Sequence, residues 1–103
     1  MPVVTVASPS PSVVHLRLSG ALDLSSRGSV VDALEELAPP ALTVVLDLEE
    51  VDFCDPTGLR TLLDAERRVA EAGGALVLEN AGDQVRWVLD LTDLAGRFTL
   101  HGR

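Results

Sequence analysis

Residues 42–48, LTVVLDL, constrain the fold more than any other stretch of this chain. The run is nearly all apolar and far too short for a packed helix or a membrane span. A strand that is apolar on both faces belongs at the centre of a sheet, with other elements covering it. Everything around it must then supply neighbouring strands and covering layers. Val3–Val6 is a short β-branched run and reads as a first strand. After a loop of composition ASPSPS at residues 7–12 comes VVHLRL at residues 13–18. There Val14, Leu16 and Leu18 share one face, and His15 and Arg17 share the other, the period of a half-buried strand. These two strands are expected to pair as an antiparallel hairpin, with Ser19-Gly20 breaking the second.

The helices are legible by their period. Val30, Val31, Leu34 and Leu37 repeat at helical spacing behind cap candidates at residues 23–26, and Pro39-Pro40 stops the run. A second helix is expected from Asp55 to about Ala72. Its apolar stripe is Leu59, Leu62, Leu63, Val69 and Ala70, and its polar face carries Arg60, Asp64, Arg67, Arg68 and Glu71. Gly73-Gly74 ends it, as glycine does past a helix C-terminus. Residues 75–78 read as another apolar strand, and residues 80–82 turn the chain. A third helix over residues 83–91 buries Val85, Val88 and Leu89, and the tail packs back through Phe98 and Leu100. The expected order is β-β-α-β-α-β-α. It implies one α/β domain over residues 1–103, a mixed four-stranded sheet with helices packed mainly on one face.

Composition narrows the function. The chain has 103 residues, 47% of them hydrophobic, enough to build one core. Sixteen acidic against eight basic residues give a net charge of -8, a field that repels phosphate backbones and argues against a nucleic-acid partner. All eight basic residues are Arg, a pattern of GC-rich bacterial genomes. One cysteine, Cys54, allows no intramolecular disulfide. With no signal-peptide pattern and no apolar run near the roughly 18 residues of a span, a cytoplasmic protein without membrane attachment is expected.

Residues 44–59, VVLDLEEVDFCDPTGL, resemble the signature of the STAS domain family, a V-x-L-D-L strand followed by V-x-F-x-D and a G-L helix start. Residues 18–23 (LSGALD), 73–80 (GGALVLEN) and 85–98 resemble three further family segments in the same order. The likeness spans about residues 13–98. It implies a regulator rather than an enzyme. An anti-sigma factor antagonist of this family binds an anti-sigma factor that is itself a serine/threonine kinase, and so frees a sigma factor. Phosphorylation at the start of the second helix ends binding, and a phosphatase restores it. The partner-binding face implied for this chain comprises Asp23, Asp55, Pro56, Thr57, Gly58, Leu59 and Arg60. The other function the resemblance allows is a STAS scaffold or sensory module that binds a nucleotide, a lipid or other regulatory domains.

Physical chemistry gives the same residues a plain reading. Asp55 is an N-cap and Pro56 fits the first helical position, where its missing N–H costs nothing. Gly58 leaves room for a close approach to the backbone. In the phosphorylated family members the acceptor hydroxyl directly follows the Asp, and here that position is Pro56. Thr57 is the one hydroxyl left in the motif. Three readings stay open: Thr57 is a displaced acceptor, the chain binds its partner without this phosphorylation, or the domain serves another interaction. Asp23 is either an interface carboxylate or a cap of the first helix. His15 and His101 have no ligand-spaced companions, so no metal or other cofactor is expected. Cys54 reads as a small core residue. Trp87 lies about 100–200° off the third helix's buried stripe and either meets a partner or packs under the tail. A monomer or weak dimer is expected.

Overall fold

The computed structural model describes residues 3–6, 13–37 and 42–102, the first of these as backbone. The side chain of Leu37, the 7–12 loop and Pro39-Pro40 lie outside the described residues. Five strands, β1 (Val3–Val6), β2 (Val13–Leu22), β3 (Thr43–Cys54), β4 (Ala75–Glu79) and β5 (Thr99–His101), form one sheet. Their spatial order is β1-β2-β3-β4-β5, the order of the chain. β1 pairs antiparallel with β2, and the other four strands are parallel. Three helices make the crossovers: α1 (Arg27–Leu37), α2 (Pro56–Glu71) and α3 (Asp83–Leu91).

A sheet that grows by one parallel strand at each step, always in the same direction, places every crossover of one hand on the same face. The burial pattern follows. Val14, Leu16 and Leu18 of β2, Val44, Leu46 and Leu48 of β3, and Leu76 and Leu78 of β4 are all buried in one core cluster. Leu16, Leu46 and Leu78 stand opposite one another across the parallel register. Val30 and Leu34 of α1, Leu59, Leu62, Ala65 and Val69 of α2, and Val85, Val88 and Leu89 of α3 close over them. The mixed α/β sheet with helices on one face is therefore the architecture.

Details differ from expectation for identifiable reasons. β2 does not stop at Ser19-Gly20; it continues to Leu22 with register shifts on either side of Gly20. Each shift leaves one extra residue in β3, and Gly20, with φ 89°, adopts the left-handed conformation that lets β2 follow these bulges of its neighbour rather than end. The tail adds β5 beside β4, a fifth strand too short to show a period. β3 is central but helices cover one of its faces. On the other, Val45 and Asp47 are shielded by neighbouring strands, and Asp47 accepts from Asn80 Nδ2 (3.3 Å) and pairs with Arg17 (3.6 Å). In α2, Ala70 is exposed, and Gly58, Thr61 and Ala65 are buried instead.

Thr61 is 1% exposed, and its hydroxyl has no hydrogen-bond partner among the described residues. A buried polar group without a partner costs about 1–3 kcal/mol. Thr61→Val should therefore raise stability by about 1 kcal/mol in urea unfolding, the reverse of the usual effect of a core substitution.

Candidate functional site

The C-terminal ends of β2 and β3 and the N-terminal ends of their following helices meet at one edge of the domain. Asp55 N–H donates to the Leu22 carbonyl (3.3 Å), tying the start of α2 to the end of β2. Residue 58 sits over the same carbonyl. A Cβ built on Gly58 would fall on Leu22 O and come within 2.9 Å of Asp23 N. Leu22 and Leu59 are fully buried beside it. This close contact brings the turn at Asp23 against the turn at Asp55.

Each turn is stabilised by its own carboxylate. Asp23 caps a 3-10 turn, Leu24–Ser26, that leads directly into α1. Ser25 N–H donates to Asp23 Oδ1 (2.9 Å), and Asp23 N–H donates to Ser26 Oγ (3.0 Å), a reciprocal capping box. Ser26 Oγ donates in turn to Ala21 O (2.6 Å). The Ser25 hydroxyl bond, with the backbone bond beside it, holds the Asp23 carboxyl below its ordinary value. Asp55 caps α2: Gly58 N–H and the Thr57 hydroxyl both donate to Asp55 Oδ1, each at 2.7 Å. Pro56 occupies the first helical position.

The seven residues expected at a binding face divide by exposure. Pro56, Thr57 and Arg60 are exposed, and Asp23 and Asp55 are partly so. Gly58 and Leu59 are buried. The close approach that Gly58 permits is to the chain's own Leu22, and Leu59 faces the core. They fix the backbone of this edge. Two residues the sequence did not single out complete it. Leu24 is 69% exposed, and Arg27 pairs with Asp64 across α1 and α2. Leu24, Arg27, Thr57, Arg60, Leu63 and Asp64 line a shallow hollow of about 410 Å³. Leu24 was detectable as an apolar residue standing alone among Asp23, Ser25 and Ser26, without a periodic partner. Arg60 makes no ion pair among the described residues. Cys54, just before the cap, is buried, and burial together with the Asp55 charge pushes its thiol up to about 11. It stays protonated at neutral pH and packs as a small core group. No cluster of metal-ligating side chains occurs among the described residues, and no helix there is long and apolar enough to cross a membrane.

Residues 6–101 match the family model described as Mlab, STAS domain. The chain belongs to the STAS domain family. Over 81 residues it is 27% identical to the anti-sigma-B factor antagonist of Bacillus subtilis (strain 168), covering 79% of this chain and 74% of that one. Its fold is similar to that of an anti-sigma factor antagonist from Mycobacterium paratuberculosis, with a TM-score of 0.75 at 21% identity over 98% of this chain and 86% of that one. The Bacillus cell fate determinant SpoIIAA in its phosphorylated form is also similar, with a TM-score of 0.65 at 22% identity over 98% and 92% of the two chains.

Two glycines test the packing at this edge. Gly28 in α1 has open space around its Cβ position, so Gly28→Ala should stabilise by about 0.5–1 kcal/mol, as alanine ordinarily does in a helix. Gly58→Ala has the same propensity gain but must displace the Leu22 backbone, and should lose about 1–3 kcal/mol net. Urea melts of both variants check the opposite signs. The Arg27–Asp64 pair gives a pH signature. Its hydrogen bond and charge hold the Asp64 carboxyl below its ordinary 3.8. The stabilisation is thus present above that ordinary value and lost as the pH falls through the lowered one. Asp64→Asn should cost about 0.5 kcal/mol at neutral pH, because Arg27 stays half exposed, and the two melting curves should converge on acidification.

Proposed function

We propose that this STAS domain is an anti-sigma factor antagonist. It binds an anti-sigma factor serine/threonine kinase through the edge formed by Asp23, Leu24, Asp55, Pro56, Thr57 and Arg60, and so releases a sigma factor. The observation that carries this reading is the exposed Leu24 beside Thr57 and the unpaired Arg60, on an edge whose backbone is fixed by two side-chain caps. Arginine is among the residues enriched at binding hot spots, and a backbone already held in place lowers the ordering cost of binding. The relationship to the Bacillus anti-sigma-B factor antagonist supports the partner class.

Pro56 has no hydroxyl, so the candidate phosphate acceptor within the helix-start motif is Thr57. Its hydroxyl is exposed and held by Asp55 at 2.7 Å. A phosphate there adds roughly -1.5 to -2 charges beside the Asp55 carboxylate, in the middle of the binding edge. Arg60, one turn along α2, offers it a cation. The modified chain would keep its fold and lose its partner, and a phosphatase would restore binding.

Titration against a candidate anti-sigma factor serine/threonine kinase should show a complex. Leu24→Ala and Arg60→Ala should each weaken it about tenfold while leaving the melting temperature unchanged. Absence of binding, or affinity indifferent to both substitutions, refutes the assignment. A nucleotide that raised the melting temperature markedly in the absence of kinase would favour the sensory-module reading instead. Incubation with kinase and ATP, followed by intact-mass measurement, decides the switch. A gain of one phosphate that disappears in Thr57→Ala identifies the acceptor, and an unchanged mass means binding is not controlled there.

A further inference from the structure

The exposed face of α3 carries features that the Asp23–Arg60 edge does not use. Trp87 is 62% exposed and Leu91 is 63% exposed. They lie four residues apart, about 40° around the helix, so their side chains form one apolar stripe. Trp87 does not pack under the tail; Phe98 is buried there instead. Beside the stripe stand Asp83, about 40° to the other side of Trp87, and Asp90, about 60° away. Asp93 follows just past the helix end, with φ 59°. All three are exposed, and none makes an ion pair among the described residues. The cation of α3, Arg86, is turned away, donating to Ala81 O and Gly102 O at 3.0 Å each.

The position of these charges matters. A helix C-terminus is the negative end of its dipole, and the last turn of α3 holds no basic residue. Asp90 and Asp93 therefore sit where a carboxylate is electrostatically disfavoured, next to uncovered tryptophan. A cation brought to this end would offset both charges. A second copy of the chain would bring the same three carboxylates against them, on a protein of net charge -8. An anionic lipid surface would be repelled in the same way.

We propose that the Trp87–Leu91 face of α3 is a second docking surface, whose occupant is a basic amphipathic helix of a partner protein. Aliphatic side chains of that helix cover Trp87 and Leu91, and its Lys or Arg side chains meet Asp83, Asp90 and Asp93. The surface goes beyond the Asp23–Arg60 edge and belongs to a different helix.

Trp87 is the chain's one tryptophan, so its emission reports on this face directly. The probe is a synthetic amphipathic helix of Leu and Lys, with two controls: the same design carrying Glu for Lys, and a shuffled peptide with no apolar face. The Lys peptide should give a saturable blue shift that high salt weakens, and the controls should give none. Asp83→Asn/Asp90→Asn/Asp93→Asn should weaken binding about tenfold, the worth of three exposed ion pairs. Leu24→Ala and Arg60→Ala should leave the response intact, which separates this surface from the kinase-binding edge. No shift, or an equal shift with the Glu or shuffled peptide, overturns the proposal. So does loss of the response in the Leu24 or Arg60 variant. Blue emission from the free protein that grows with its concentration overturns it in favour of self-association.

Discussion

The contact between Gly58 and the Leu22 carbonyl is the constraint on which the candidate site depends. A side chain at residue 58 would occupy the space of that carbonyl, so α2 can begin where it does only because glycine stands there. The Asp55 N–H bond to the same carbonyl fixes the approach. Two turns more than thirty residues apart in sequence become one edge, and each has its own carboxylate cap holding the backbone in place. The result is a rigid rim from which Leu24, Thr57 and Arg60 project.

The sheet explains why the rim is free. Four parallel strands in chain order put all three helices on one face and all their N-termini at one end. That end collects the positive poles of the helix dipoles together with the turns that carry exposed polar groups. Asp23 and Asp55 answer the dipoles of the first two helices by capping. α3 starts at Gly82 without a side-chain cap, although Gln84 Nε2 donates to Cys54 O (3.0 Å) and ties it to the same edge. Its Asp83 stands in the first turn, and Asp90 and Asp93 lie at the far end.

A phosphate on Thr57 would act on a surface whose shape is already set. Asp55 holds both the Thr57 hydroxyl and the Gly58 N–H, so the cap and the candidate acceptor share one carboxylate oxygen. Modification would exchange a neutral donor for a dianion next to that carboxylate. Local repulsion would be relieved outward, toward solvent and Arg60, because Gly58 and Leu59 are locked inward.

The sequence by itself determined the elements whose signals are local. LTVVLDL made the central strand, the Val85/Val88/Leu89 period made α3, and Asp55-Pro56 announced a helix start. Motifs in series pointed to the STAS family. Tertiary structure decided what depends on neighbours. Ser19-Gly20 looked like a strand end and became part of a continuous strand, because pairing with β3 continues past it through bulges in β3. Gly58 and Leu59 stood in the binding motif but were turned inward by the Leu22 carbonyl. Leu24 was a single apolar residue whose exposure no periodicity could reveal, and for Trp87 the period placed it off the buried stripe but left open whether the tail covers it. Periodicity records which face of an element is apolar, whereas packing between distant segments decides which of those faces is covered.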